Sequence, residues 1–476
     1  MATRAREASP EAVPELGSLL VPDQLSQWGW VLGYTALFTV LSVLRYQLWL
    51  ATGWDLGYYE QAMWALYHQG LGAMATMSGY PVLADSASFV LILLSPFFVW
   101  FGVGFLLVLQ SFALGLGYWW IQKLGRHFGI DQRRRQLIGL AYLCYPVVVA
   151  SNLFDFHPDV LAVPLLFAAI YYAETRAWVR YTVAIVGALL IKDMVAIAVA
   201  GVGLVLIGRK QWIPGLITAV AGVAWLVLAT SWFIPWLVHH PMSQWQAYYG
   251  QWGATPLEGL RYLATHPWDF LRWGFNVRSW EYLVWIVGPI FLFVVPRRTL
   301  WQRFLWLIPG ILILETNLLS RFPAQTSPFD QYSLFAVPFL FVSLCAWPSA
   351  SNSFSKKAWI PSAAFLVVLA YHLHATTWRS FPSDVDTLAA AISKIPPTAP
   401  VIAQNFVIPH VARRAAVYDL NQWASIQGKT PLYVLIDSGF STTGKVGYGV
   451  IHDVSAALKH HSPIFHAGSV TLYLLN

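Results

Sequence analysis

The sequence predicts an all-α polytopic membrane protein that ends in a small α/β domain. Of the 476 residues, 57% are hydrophobic and only 11% are charged, whereas soluble domains are usually about a quarter charged. Many apolar runs approach or exceed the roughly 20 residues that a helix needs to cross a bilayer. From residue 377 onward the apolar runs shorten to strand length and turn residues separate them, which indicates the α/β domain.

The apolar runs divide the chain into three parts. Residues 1–27 form a polar N-terminal segment, residues 28–376 carry the membrane helices, and residues 377–476 form the α/β domain. We expect about 11 to 13 transmembrane or re-entrant helices in the second part. In the third part the pattern predicts four strands and two helices: strands at 400–404, 415–420, 431–437 and 470–475, and helices at 383–395 and 446–460.

Basic residues predict the orientation in the cell membrane. After residue 125, clusters such as Arg133-Arg134-Arg135 alternate with the apolar runs, as expected of cytoplasmic loops. This alternation places the C-terminal domain on the extracytoplasmic side, together with an interfacial loop at 51–86. A cytoplasmic N-terminus then requires one early run within 87–124 to be short or re-entrant. We attribute the net charge of +7 to this orientation signal and expect no nucleic-acid partner.

The first candidate site is the segment 52–64, which directly follows the first apolar run. On a helix, Tyr59 would lie on an apolar face while Glu60 and Gln61 point towards the other face. Aromatic-rich amphipathic helices beside a span are typical of the membrane–water interface. Asp55 stands at the start of this helix, where it is either a reactive carboxylate or simply the helix N-cap.

The second candidate site is Asp155-Phe156-His157-Pro158-Asp159, between two apolar runs. Carboxylate oxygen and imidazole nitrogen suit Mg²⁺, Mn²⁺ or Zn²⁺, so Asp155 and His157 are candidate ligands of a divalent cation. The alternative is a polar loop whose acids cap the next helix, and we favour that structural role for Asp159.

Two weaker sets fall on the same predicted side. Lys192-Asp193 interrupts the nearly uncharged stretch 181–208, and ionisable groups at membrane depth are costly unless they are paired or hydrated. Lys192 is suited to neutralise a phosphate, although a local ion pair with Asp193 is the alternative. Arg321 and Tyr332 stand at the outer ends of two late spans, and Arg321 could bind a phosphate oxygen pair.

These segments resemble a bacterial and archaeal membrane family, the domain of unknown function 2079. Its motifs look like F-D-L-G-x-x-x-Q, D-F-H-P, a lysine–acid pair, a tyrosine before a proline-bearing late span, and a C-terminal proline–histidine segment followed by arginine. The matching residues here are Trp54-Asp55-Leu56-Gly57 with Gln61, Asp155-Phe156-His157-Pro158, Lys192-Asp193, Tyr332 with Pro338, and Pro409-His410-Val411 with Arg413 or Arg414.

This sequence departs from the family pattern at two places. Trp54 replaces the family's phenylalanine, and Asp85-Ser86-Ala87-Ser88 stands where the family usually has a D-H-F-S-like segment. The histidine of that segment is therefore missing here. If it were a ligand or a base in the family, a non-catalytic role for this chain would gain weight.

The family is similar in layout to the lipid-linked-sugar glycosyltransferases of the GT-C architecture. The resemblance implies that Asp55 corresponds to the acid of their first outer loop. We therefore expect a membrane glycosyltransferase that moves a sugar from a polyprenyl-phosphate donor to an extracytoplasmic acceptor, with membrane lipid as a further partner. Asp55 is the expected catalytic base, and the expected substrate-binding residues are Glu60, Gln61, Lys192, Asp193, Arg321 and Tyr332. The alternatives are a transporter or flippase for a lipid-linked or anionic substrate, and a membrane scaffold without catalysis.

Overall fold

The computed structural model describes residues 23–238, 244–274, 276–291, 304–345, 384–439 and 445–476, with three isolated positions between 366 and 370. Several sequence predictions lie outside these residues. They concern the polar N-terminal segment before residue 23 and most of the predicted membrane part from residue 346 to residue 376.

The chain before residue 346 is built from helices. In chain order they are α1 (Asp23–Gln47), α2 (Tyr58–Gln69), α3 (Val90–Phe101), α4 (Val103–His127), α5 (Gln132–Leu143), α6 (Pro146–Leu153), α7 (Asp159–Glu174), α8 (Trp178–Leu189), α9 (Val195–Gly208), α10 (Trp212–Leu228), α11 (Ile234–Val238), α12 (Gln244–Tyr249), α13 (Pro256–Thr265), α14 (Pro267–Gly274), α15 (Val277–Phe291), α16 (Leu307–Leu319) and α17 (Val337–Cys345). A short hairpin of β1 (Met74–Ala75) and β2 (Tyr80–Pro81) lies between α2 and α3.

Among the described residues, three helices are long and apolar enough to cross a membrane. They are Leu25–Gln47, Val103–His127 and Trp212–Val238, and α5 with α6 passes the same test as one span bent by 43°. Several further apolar helices, such as α8 and α9, are shorter. The predicted class of helical membrane protein is confirmed. The expected number of 11 to 13 helices stays a prediction, because 292–303 and most of 346–383 are not described.

The early apolar region contains one helix, α3, that is too short to cross a bilayer. Helix α3 has 12 residues, which corresponds to about 18 Å of helix against roughly 30 Å of bilayer hydrocarbon. Gly102 joins α3 to α4 at φ 72°, a conformation that glycine adopts without a Cβ penalty. Helix α3 packs against α2, so it belongs to the interfacial loop region rather than to the set of full spans.

The main apolar core lies between α1, α4, α7 and α9 and includes Tyr118, Tyr142 and Phe167. Helices α4 and α5 meet closely at Gly117, where an added Cβ would lie 2.2 Å from the ring of Tyr142. The Tyr142 hydroxyl donates to the Leu114 carbonyl at 2.8 Å. The absence of a side chain at position 117 thus makes room for a buried, hydrogen-bonded tyrosine.

The C-terminal domain is built around a mixed five-stranded sheet in the order β4-β3-β5-β7-β6. Strand β3 (Val401–Ala403) pairs in parallel with β4 (Val417–Asp419) and β5 (Leu432–Asp437), while β7 (Val470–Leu475) runs antiparallel to β5 and to β6 (Phe465–Ala467). Helices α18 (Val385–Ile392), α19 (Trp423–Ile426) and α20 (Lys445–Ala457) complete the domain.

The four predicted strands and two predicted helices of this domain are confirmed. Strand β6 was not predicted, because three residues are too few to show an alternating pattern of hydrophobic and polar residues. Its central residue, His466, is also exposed. One face of the sheet shares an apolar core with the loop region of the membrane part, including Tyr59, Phe98, Ile408 and Leu472. The domain is therefore docked on the same end of the helix bundle as the loop 51–86.

A side chain at position 117 should destabilise the helix bundle. Gly117→Ala places a methyl group into the ring of Tyr142, and overpacking of this kind costs about 1 to 3 kcal/mol. Gly104→Ala in the same helix is the matched control, since an added Cβ there meets nothing within 4 Å. Thermal unfolding in detergent should show a lower Tm for Gly117→Ala alone. Equal Tm values for the two variants would contradict the packing described for α4 and α5.

Candidate functional site

Asp55 lies on a short π-helical turn, Gly53–Gly57, that leads directly into α2. Its Oδ2 accepts a hydrogen bond from the Thr52 hydroxyl at 2.5 Å, and its Oδ1 lies 3.0 Å from Nε2 of His157. The side chain does not cap the turn or α2, so the N-cap alternative for Asp55 is wrong. The carboxylate is instead part of a side-chain network that reaches across the loop.

The partner of Asp55 is held by its own backbone. Nδ1 of His157 lies 3.0 Å from the carbonyl oxygen of Asp155, and a carbonyl can only accept, so Nδ1 carries a proton. Burial raises the pKa of Asp55 by itself, but the hydrogen bond and charge of His157 outweigh it and hold that pKa below its ordinary value. Burial likewise lowers the pKa of His157, and Asp55 raises it above its ordinary value. Each of the two side chains therefore favours the charged form of the other.

Asp155 is buried and engaged on both oxygens. Oδ1 accepts from Nη1 of Arg45 at 2.5 Å, and Oδ2 accepts from the backbone N–H of Thr52 at 2.6 Å. Oδ2 also lies 2.7 Å from the Thr52 hydroxyl, whose single proton is shared between Asp155 and Asp55. Because these contacts occupy the carboxylate, Asp155 and His157 as placed do not form a ligand set. No group of three or more His, Cys, Asp or Glu side chains in the described part of the chain could hold a metal ion. The divalent cation expected at these residues stays a prediction.

Lys192 forms its ion pair with Asp159. The distances from Nζ to the two carboxylate oxygens are 3.3 and 3.5 Å. Asp193, which we expected to hold Lys192, instead accepts from the N–H of Met194 at 2.8 Å at the start of α9. Asp159 therefore pairs with the lysine and does not cap α7, while Asp193 contacts the residue before α9 without capping that helix. Lys192 can reach Asp159 because α7, which begins at Asp159, and α9, which follows Lys192, are neighbours in the bundle.

One cavity of about 260 Å³ lies beside the turn that carries Asp55. The Asp55–His157 pair and Lys192 face the same space, together with a set of tyrosines. The lining residues are Trp54, Asp55, Tyr58, Tyr59, Ser78, Tyr80, Asp85, His157, Lys192, Ala247, Tyr248, Gln331 and Tyr332. The side chain of Asp55 is 25% exposed, so the cavity communicates with the protein surface.

Four predicted substrate-binding residues do not line this cavity: Asp193, described above, and Glu60, Gln61 and Arg321. Glu60 is 1% exposed inside α2, where burial raises its pKa well above the ordinary value. Gln61 is fully buried and donates to the Thr76 hydroxyl at 2.6 Å. Arg321 donates to the backbone carbonyls of Ala247 and Gln246 at 2.7 Å each. Their role in binding substrate stays a prediction. The hydrogen bonds of Gln61 and Arg321 join neighbouring segments of the site.

Several residues of the site were not predicted from the sequence. Arg45 was not considered, although it is a single charged residue in the last turn of the first span. A charge at that depth is costly unless it is paired, so its position indicated a buried acidic partner. Tyr248 lines the cavity and stacks on Phe322 with ring centroids 4.8 Å apart. Asp85 also lines the cavity, and it accepts from the hydroxyl of its neighbour Ser86 at 3.2 Å.

Comparison with solved structures defines the class of protein. ArnT from Cupriavidus metallidurans bound to undecaprenyl phosphate matches with a TM-score of 0.56 and 15% identity, over 94% of this chain and 98% of that chain. The apo structure of the same ArnT matches with a TM-score of 0.40 and 13% identity, over 93% and 98% of the two chains. The protein is thus a polytopic membrane protein with the GT-C fold of ArnT. At this identity the likeness concerns the fold alone.

The family follows from the sequence model that matches most of the chain. The model described as "Predicted membrane protein (DUF2079)" matches residues 45–447. The chain belongs to this family, as the resemblance of its motifs implied. No curated protein matches the sequence significantly.

Removing Arg45 should destabilise the protein by leaving Asp155 as an unpaired buried carboxylate. We expect Arg45→Met to lower the free energy of unfolding by about 3 to 5 kcal/mol. Adding Asp155→Asn should recover part of this loss, because the orphaned charge is then gone. Denaturation in detergent measures both effects, with Arg133→Met as an exposed arginine control that should change stability by less than about 0.5 kcal/mol. Equal losses for Arg45→Met and Arg133→Met would show that the buried pair is not a stabilising contact.

Proposed function

We propose that this protein is an integral-membrane glycosyltransferase that moves a sugar from a polyprenyl-phosphate donor to an acceptor hydroxyl. The observation that carries the proposal is the cavity whose wall presents both the Asp55–His157 pair and Lys192. Such a reaction needs a base near the attacking hydroxyl and a positive charge near the departing phosphate. The fold likeness to a protein crystallised with undecaprenyl phosphate supports a donor of this chemical class.

Lys192 is the residue that we assign to the donor phosphate. Its ammonium group is buried, with 10% of the side chain exposed, and lies 5.7 Å from the ring centre of Tyr332. Charges interact more strongly in such a low-dielectric environment than in water. Asp159 keeps Lys192 charged and aimed at the cavity, while the hydroxyl-bearing rings of Tyr248 and Tyr332 offer further donors to phosphate oxygens.

Asp55 is the residue that we assign to the acceptor. The acceptor oxygen attacks the anomeric carbon, the bond from that carbon to the phosphate oxygen breaks, and the hydroxyl proton passes to the carboxylate of Asp55. Polyprenyl phosphate leaves with the bonding electron pair, next to Lys192. His157 keeps Asp55 ionised before the step and aims one of its oxygens, while Thr52 aims the other.

The side of the membrane is part of the proposal. The C-terminal domain and the cavity lie at the same end of the helix bundle, since the domain shares its core with the loop that carries Asp55. The alternation of basic loops predicts that this end is extracytoplasmic. The acceptor would then be a molecule of the cell envelope, and the lipid-linked donor would enter from the outer leaflet.

Removal of the base tests the proposal most directly. Asp55→Asn should lower the transfer of labelled sugar from polyprenyl-phosphate donors by about 10² to 10⁴-fold, at an unchanged protein level. Asp386→Asn, the same change at an exposed acid of the C-terminal domain, is the matched control and should leave transfer unchanged. Equal transfer by the two variants would remove Asp55 from the mechanism, and no transfer by the wild type with any donor would favour a transporter or scaffold.

Loss of the lysine should affect the reaction more than loss of its partner. Lys192→Gln removes the positive charge that faces the donor phosphate, and we expect transfer to fall by about 10² to 10³-fold. Asp159→Asn leaves that charge in place and should cost less. Steady-state transfer measured against donor concentration compares the two variants. A larger loss for Asp159→Asn would mean that the pair is structural and does not bind the donor.

A further inference from the structure

The C-terminal domain reaches the turn that carries Asp55 through one side chain. Oδ1 of Asn405 accepts hydrogen bonds from the backbone N–H groups of Gly53 at 2.7 Å and of Trp54 at 3.1 Å. N–H groups at the start of a helical turn have no partner within that turn. A residue more than 350 positions later in the chain supplies their acceptor.

The backbone beside Asn405 lies directly against the same turn. An added Cβ at Gly53 would lie 2.8 Å from the Asn405 carbonyl oxygen and from side-chain atoms of Ile408. At Gly57 it would lie 2.8 Å from Ile408 Cγ2. Any side chain at either position would push the two segments apart. The glycines on both sides of Asp55 therefore permit the close approach that the hydrogen bonds of Asn405 need.

Asn405 is itself held by the sheet of the C-terminal domain. It directly follows Gln404, whose side chain donates to the Asp437 carbonyl at 2.9 Å and accepts from the Asp437 N–H at 2.7 Å. These two residues lie at the carboxyl ends of the neighbouring parallel strands β3 and β5. The reciprocal pair fixes residue 404 to the end of β5, so the turn that carries Asn405 begins at an anchored position.

Other contacts keep the domain from moving along the membrane part. The Thr76 hydroxyl donates to the Val417 carbonyl at 2.7 Å and accepts from the Val417 N–H at 3.0 Å. His410 stacks between Trp49 and Tyr46, with ring centroids 3.8 and 4.5 Å away. These contacts hold the domain at the hairpin after α2 and at the end of α1. The Asn405 contact between them fixes the turn itself.

We propose that Asn405 is a positioning residue for Asp55, so that the C-terminal domain is an integral part of the reaction site. The inference rests on the proposed function, in which Asp55 receives the acceptor proton. By capping Gly53 and Trp54, Asn405 fixes the turn one residue before Asp55 and so sets the direction of its carboxylate. A displacement of about 1 Å at a reacting group can cost on the order of a hundredfold in rate.

Two substitutions at this position separate the cap from general packing. Asn405→Ala removes the acceptor, and we expect kcat for sugar transfer to fall about tenfold to a hundredfold while KM for the donor changes less than twofold. Asn405→Asp keeps an acceptor oxygen for both N–H groups and should restore most of kcat. Its added negative charge near Asp55 should also move the acidic limb of the pH–rate profile to higher pH, because it disfavours ionisation of Asp55.

The matched control removes an equal number of domain contacts elsewhere. Gln422 donates from Nε2 to the carbonyls of Thr76 and Met77 at 3.2 and 3.0 Å, on the hairpin rather than on the Asp55 turn. Gln422→Ala should leave kcat within about twofold of wild type. A loss of kcat as large as that of Asn405→Ala would mean that docking in general matters, and would overturn the specific role of Asn405.

Hydrogen exchange gives a readout that does not depend on activity. The full-length protein with Asn405→Ala should exchange the amides of Gly53 and Trp54 at least about tenfold faster, with little change in α2, and Asn405→Asp should restore protection. Unchanged exchange in Asn405→Ala would overturn the proposal. If the wild type transfers no sugar, the proposed function fails, while the exchange result still decides whether Asn405 holds the turn.

Discussion

The buried ion pair between Arg45 and Asp155 is the contact on which the rest of the site depends. It joins the end of α1 to the loop after α6 over 2.5 Å, with both side chains almost completely buried. The same aspartate fixes Thr52 through one carboxylate oxygen and His157 through its backbone carbonyl. Both of these residues then hold Asp55. A change in the position of Asp155 would therefore affect the carboxylate of Asp55 through both Thr52 and His157.

Burial of these charges is compatible with folding because every one of them has a partner. An isolated charge in a low-dielectric interior costs several kcal/mol, and a pair is tolerated when further hydrogen bonds satisfy the remaining oxygens. Asp155 contacts Arg45 and both the backbone N–H and the hydroxyl of Thr52, and Lys192 has both oxygens of Asp159. The Asp55–His157 pair and Lys192, which is itself paired with Asp159, thus face one cavity. A donor phosphate would add negative charge beside Lys192, where little water is available to screen it.

The position of the C-terminal domain explains why the site lies at one end of the bundle. The loop 51–86 has short elements, a π-turn and a two-residue hairpin, which could not hold a fixed geometry alone. It is enclosed between α3 on one side and the sheet edge near Asn405 on the other. Contacts with the C-terminal domain therefore fix the loop that carries Asp55. The membrane helices fix His157 and Lys192 in the same way.

Much of this protein could be predicted from residue type and spacing. Hydrophobic content determined a membrane location, alternation and turn residues determined four of the five strands, and the motifs determined the family and its GT-C layout. Asp55, His157 and Tyr332 were singled out by residue type and motif position, and Lys192 because ionisable groups at membrane depth are costly unless they are paired or hydrated. All four line the cavity.

Partner choice was decided by the tertiary structure. Lys192 is adjacent to Asp193 in sequence, yet it pairs with Asp159, because the backbone directs the Asp193 side chain to the start of α9. Asp155 and His157 are two residues apart, yet one contacts Arg45 and the other Asp55. Sequence determines which groups must find partners in a membrane, since unpaired charge is not tolerated there. Which partner each one finds depends on distances between helices that are far apart in the chain, and only the folded structure sets them.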